Sequence, residues 1–137
     1  MSEPKDRWHG EWKYPRMTHG KFTSWNWVAY YPKRLNLGYG VDIGFGTLLQ
    51  AEEGILVGDN TQIGGGCLLY TVCTQTGRRA PIVIGARCRI GSHSLLLPGV
   101  RLGDDVCVGA HSILGYYVSV PSKTVLPAQT LLRRRGP

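Results

Sequence analysis

The sequence predicts an all-β solenoid, in which short strands and turns wind into stacked coils. Three observations carry this. An aliphatic residue recurs in a six-residue register at Leu37, Ile43, Leu49, Val57, Ile63, Leu69, Ile84, Ile90, Leu96, Leu102, Val108, Leu114, Val120 and Leu126. The next position is glycine in nine of these units and proline in two more, Pro121 and Pro127. The fifth position is small or β-branched, from Val41 and Thr47 through Cys67, Cys73 and Cys88 to Ser94, Ser112 and Thr130. A period of six fits neither a helix nor a lone strand, but it fits a short strand plus a turn. One such unit cannot bury its apolar side alone, so copies stack with positions one and five facing a narrow interior. The register breaks twice: Leu49 to Val57 carries two extra residues, and Leu69 to Ile84 carries three.

The run Ile84-Gly-Ala-Arg-Cys-Arg-Ile90-Gly-Ser-His-Ser-Leu-Leu-Leu-Pro-Gly-Val-Arg-Leu102-Gly-Asp-Asp-Val-Cys-Val108-Gly-Ala-His-Ser resembles the most typical coils of the hexapeptide-repeat acyltransferases. That resemblance implies a single-stranded left-handed parallel β-helix of triangular section, with eighteen residues to a coil and usually three chains to a molecule. Residues 37–131 then make about five coils, preceded by a capping segment at 1–36 and followed by a basic tail at 132–137. The implied reaction moves an acyl group, here acetyl, from a coenzyme A thioester to a hydroxyl or amine of a sugar or nucleotide-sugar. Two other readings stay open. The chain is then a non-catalytic assembly or regulatory subunit, or a metalloenzyme like the carbonic anhydrases of this fold. The His-x4-His pair that those use for zinc is missing here, so no metal is expected.

At 137 residues the chain is one domain. Five narrow coils give a thin core, and thin cores call for oligomers, in agreement with a homotrimer. The formal charge is +7, from 16 basic and 9 acidic residues, which favours an anionic partner. No nucleic-acid module is recognisable, and the aromatics are not interleaved with the basic residues of the repeat. Acetyl-coenzyme A and a nucleotide-linked substrate are therefore the expected anions, and nucleic acid is not. No apolar run reaches the ~18 residues of a membrane span, and the opening Met-Ser-Glu-Pro-Lys-Asp-Arg has no secretory core behind it. A cytoplasmic protein with reduced cysteines is expected. Cys67, Cys73 and Cys88 read as small interior hydrophobes, with Cys67 and Cys88 as stacked neighbours and Cys107 outward.

Taken in order, the first 36 residues hold all four tryptophans, Trp8, Trp12, Trp25 and Trp27, with Tyr14, Phe22, Tyr30 and Tyr31. A coil end exposes interior and unpaired strand edges, so this segment is expected to cap it. The alternative is an aromatic wall, Trp25 included, beside a sugar or nucleotide. His9 and His19 lie in polar surroundings and are expected to be exposed or disordered. The break between Leu69 and Ile84 predicts a loop, and Tyr70, Gln75, Arg78 and Arg79 are its candidate acceptor contacts; a solvated turn is the alternative. In the maltose- and galactoside-type branch this stretch carries the catalytic histidine. No histidine lies between His19 and His93 here, so that role does not carry over.

Residues eighteen apart should stack at the spacing of adjacent strands, about 4.8 Å. His93 and His111 share such a column at outward position four, which Val72 and Gln129 are expected to extend. A general base is one reading, since an imidazole titrates near neutrality; a solvated or intersubunit histidine is the other. Arg87, Asp105 and Lys123 make a second column of alternating charge, read as an ion ladder, with a phosphate contact at Lys123 as the alternative. Family active sites lie in crevices between subunits, which implies a pantetheine arm along Gly91, Ser92, Gly109 and Ala110. At the C-terminus, Arg133, Arg134 and Arg135 suit coenzyme A phosphates or stand as a solvated basic tail.

Overall fold

The computed structural model describes residues 11–134, so Trp8, His9 and Arg135 lie outside the described residues. Among the described residues, sixteen short strands form three parallel sheets along the sides of a left-handed β-helix. Sheet A stacks Val28–Tyr30, Leu48–Gln50, Leu68–Tyr70, Leu95–Leu96, Ile113–Leu114 and Leu131–Leu132. Sheet B stacks Leu35–Leu37, Ile55–Val57, Ile82–Ile84, Arg101–Leu102 and Ser119–Val120. Sheet C stacks Asp42–Ile43, Gln62–Ile63, Arg89–Ile90, Cys107–Val108 and Val125–Leu126.

The repeat explains the stacking. Ile43, Ile63, Ile90 and Val108 stand in one column, and Leu49, Leu69, Leu96 and Leu114 in another, all buried. Glycine follows the strand because the next coil leaves no space for a side chain there. A Cβ on Gly91 would come within 2.4 Å of the Ala110 backbone nitrogen, and one on Gly109 within 2.3 Å of that of Ala128. Polar residues at interior position five satisfy themselves on neighbouring turns: Thr47 Oγ1 donates to Gly64 O, and Thr61 Oγ1 to Gly85 O.

The first break is as the sequence predicts: Leu37 pairs with Val57, two residues more than an eighteen-residue coil. The second is larger. Leu69 pairs with Leu96 and Val57 with Ile84, each 27 positions apart, so nine residues leave the coil rather than three. A whole hexapeptide hides in that loop because Cys73 lies six after Cys67 and so keeps step with position five by coincidence. Cys73 is therefore not interior. It sits on a hairpin in which Cys73 N–H donates to Arg78 O and Ala80 N–H to Thr71 O.

The same miscount moves two columns. Cys67 lies between Thr47 and Ser94, whereas Cys88 lies between Thr61 and Val106, so the two thiols are on different corners and are not stacked neighbours. All four cysteines are free. Below His93 stands Gly66, not Val72.

Residues of the N-terminal segment lie against the edges of the first coil. Phe22 bridges Val28 antiparallel along sheet A. Tyr14 Oη donates to Leu35 O and accepts from Leu37 N–H at the edge of sheet B, and Trp12 Nε1 donates to Val41 O beside sheet C. Trp27, 2% exposed, plugs the interior. His19 is exposed, yet it is held: its Nδ1 accepts Tyr31 N–H at 2.9 Å between the rings of Tyr30 and Tyr31. No described helix is long and apolar enough to cross a membrane.

Candidate functional site

Outside the two breaks, position four of the repeat turns the chain at a corner in the left-handed region, where a non-glycine residue is uncommon. His93 (φ 61°) and His111 (φ 59°) occupy that position at the corner between sheets C and A. Their backbones are locked by the ladder, with His93 N–H to Gly65 O at 3.0 Å and His111 N–H to Ser92 O at 2.9 Å. The two imidazoles stack at 5.1 Å with 6° between planes, and both are exposed. Gly66 makes room for the lower ring: a Cβ there would meet His93 Nε2 at 2.9 Å.

Beside this corner a groove of about 370 Å³ runs up sheet C, lined by Gln62, Gly65, Arg89, Gly91, Cys107 and Ala110 among others. Gly91, Gly109 and Ala110 thus lie on one groove close to the histidine corner, and Ser92 is on the adjoining turn. The amides of the two glycines are engaged, however: Gly91 N–H donates to Val108 O and Gly109 N–H to Leu126 O. Arg89 and Cys107 also line this groove, and sequence reasoning missed both because outward strand positions carry no pattern.

A second cluster forms at the other edge of sheet A. Arg78, Arg133 and Arg134 line one cavity of about 340 Å³ with Leu97, Ile113, Tyr116, Tyr117 and Leu131. Arg78 lies 4.5 Å from the centre of the Tyr116 ring. Three arginines assigned by sequence to two different ligands therefore share one site. Lys123 does not join them, because it stands on the corner between sheets B and C above Asp105. There Arg87 holds Asp105 through Nε–Oδ1 at 2.9 Å and keeps its carboxyl below the usual carboxylate range. Tyr70 ends the strand that leads into the hairpin, and Gln75 is exposed near its tip. Arg79 is engaged with Glu53 and Glu52, at 2.8 Å to each, and latches the hairpin to the neighbouring turn.

Tyr116, which no repeat position singled out, organises the hairpin. Its hydroxyl accepts from Thr76 at 3.3 Å and donates to Cys73 Sγ at 3.0 Å. Those contacts, Tyr116 first, bring the Cys73 thiol down to about 7, whereas burial pushes Cys67 and Cys88 up. The only sequence signal was a pair of tyrosines in an otherwise aliphatic coil. Iodoacetamide should therefore alkylate Cys73 first, with the rate half-maximal near pH 7 as the thiolate forms. Peptide mapping of Tyr116→Phe should move that midpoint upward, and an unmoved midpoint refutes the role of the tyrosine.

Comparison with known proteins agrees with this architecture. Residues 81–116 match the family model for bacterial transferase hexapeptide (six repeats). The chain is 35% identical over 83 residues to the bifunctional protein GlmU of Chromobacterium violaceum, spanning 56% of this chain and 18% of that protein. It is 30% identical over 81 residues to the serine acetyltransferase of Helicobacter pylori, covering 55% of this chain and 47% of the relative. The chain thus spans less than half the length of these curated relatives. Among solved structures, a maltose O-acetyltransferase from Clostridium difficile 630 superposes with a TM-score of 0.65 at 25% identity, covering 73% of this chain and 57% of that one. Together with the stacked hexapeptide coils, these likenesses support a hexapeptide-repeat acyltransferase family.

Proposed function

We propose that this chain transfers an acetyl group from a coenzyme A thioester to a hydroxyl or amine of a sugar-like acceptor, in the cytoplasm. The observation that carries this is the stacked His93–His111 pair on an open corner beside the groove of Gly91, Gly109 and Ala110. An imidazole of this pair removes the acceptor proton as the acceptor atom attacks the thioester carbonyl. The tetrahedral oxyanion is met by a backbone amide, and since those of Gly91 and Gly109 are engaged, we assign that contact to Ser92 or Ala110. Collapse of the intermediate breaks the carbon–sulfur bond, and the leaving thiolate takes the proton from the imidazolium. The arginine cavity of Arg78, Arg133 and Arg134 receives phosphates of the coenzyme.

In one chain the histidine corner and the arginine corner lie on opposite edges of sheet A, roughly 15 Å apart by the rise of a strand. We infer that a homotrimer sets them side by side across subunits. Its support is the outward column of sheet A, Leu48, Leu68, Leu95, Ile113 and Leu131, which is aliphatic in every coil and substantially exposed at Leu68, Ile113 and Leu131. A patch of that kind on a folded chain marks an interface.

Thiol release from acetyl-coenzyme A, screened against amino sugars and nucleotide-sugars, tests the reaction, and sedimentation tests the assembly. Release with one acceptor and a trimer at micromolar concentration are expected. A stable monomer removes the intersubunit site, and failure to bind coenzyme A leaves the chain a scaffold.

A further inference from the structure

A cavity of about 600 Å³ lies at the N-terminal end of the solenoid, within the size range of small-molecule sites. Its walls are the aromatic cap: Trp12, Tyr14, Trp25 and Trp27 all line it. Two of these rings are fixed by their polar tips, Trp12 through Val41 O and Tyr14 through Leu35 O and Leu37 N–H, and they meet edge to face at 5.9 Å. Capping the coil explains those two and the buried Trp27. It does not explain Trp25, which is 43% exposed on a turn whose backbone is held by Thr23.

The polar lining narrows the ligand. Glu11 and Asp42 are offset by Lys13 and Arg16, so the formal charges cancel. Asp42 is 8% exposed, a carboxylate set into an aromatic wall. By contrast, the lining of the arginine cavity at the other end has three guanidinium groups and no carboxylate. A phosphorylated ligand therefore gains net attraction there and none here. What fits balanced charge, flat rings and buried hydrogen-bonding groups is a molecule with an apolar face and a rim of hydroxyls. Asp42 also lines the groove that leads to the histidines, and its strand lies two steps below that of Ile90, about 10 Å.

We propose that this cavity binds the uncharged pyranose ring of a saccharide, stacked on Trp25 and hydrogen-bonded by Asp42. The inference stands apart from acyl transfer, because it needs no thioester and its test contains none. The full chain is titrated with methyl α-glucopyranoside and with maltose, followed by calorimetry and tryptophan fluorescence, with glucose 6-phosphate and AMP as comparators. Saturable binding of the glycosides is expected at roughly millimolar affinity. Trp25→Ala should weaken it tenfold or more with an unchanged melting curve, since the turn is held by backbone and Thr23. Asp42→Asn should weaken it too, and the phosphorylated sugar should bind less tightly than the glycoside. The titration contains no thioester and reads binding alone, so failure of the transfer mechanism and failure of this site are read separately. No saturable binding of either glycoside overturns the proposal, as does equal affinity in Trp25→Ala. Tighter binding of AMP than of the glycosides also overturns it and makes the cavity a nucleotide site.

Discussion

Replacing His93 with alanine is expected to lower turnover by about 10² to 10⁴, the usual loss when a general base is removed, with coenzyme A affinity little changed. The two histidines share a corner and a ring stack, yet their surroundings differ. His93 lies directly over Gly66, where a missing side chain leaves the ring edge against open backbone. His111 is covered on that face by His93 itself. The ring with no side chain beneath it leaves more room for an acceptor, so His111→Ala should cost much less. Steady-state turnover of both variants, measured with an acceptor found by the thiol-release screen, checks this. Full turnover in His93→Ala across the pH range sinks the histidine-base mechanism and favours an unassisted, neutral amine acceptor held by proximity. Equal losses in the two variants would mean that the stacked pair acts as a unit.

Ile90→Asp is expected to unfold the chain, whereas Arg89→Asp one residue earlier should melt almost like the parent. Ile90 is 3% exposed and stacked between Ile63 and Val108. A carboxylate there has aliphatic neighbours above and below and no partner, and its cost of several kcal/mol takes up most of a small domain's stability. Arg89 points outward between Gln62 and Cys107, where a surface substitution usually changes stability by less than about 0.5 kcal/mol. Thermal melts by circular dichroism decide it, and similar melting temperatures would mean that the inward and outward faces have been assigned the wrong way round.

The coil is readable from the spacing of residues alone. Fourteen aliphatic positions in one register, with glycine behind nine of them, name the interior residue by residue, because each side chain must meet its equivalent one coil away at a fixed backbone spacing. His93 over His111 and Arg87 over Asp105 were legible for the same reason, since no insertion separates their coils. The register gave way where nine residues left the coil. Cys73 stayed in step by number while leaving in space, and it carried with it the pairing of Cys67 with Cys88 and the place of Val72 below His93. Periodicity counts residues along the chain and has no means of telling a coil from a loop of similar length.

Contacts across corners follow from the folded chain and not from its spacing. Tyr116 meets Cys73 and Arg78 because the hairpin folds back onto the coil, and Arg133 and Arg134 join Arg78 because they follow the Leu131–Leu132 strand of sheet A at that same edge. The aromatic segment before the repeat has no period at all. That Tyr14 closes an open strand edge, and that Trp25 borders a cavity with Asp42, follow from side chains meeting across the first coil, contacts that no spacing in the sequence encodes.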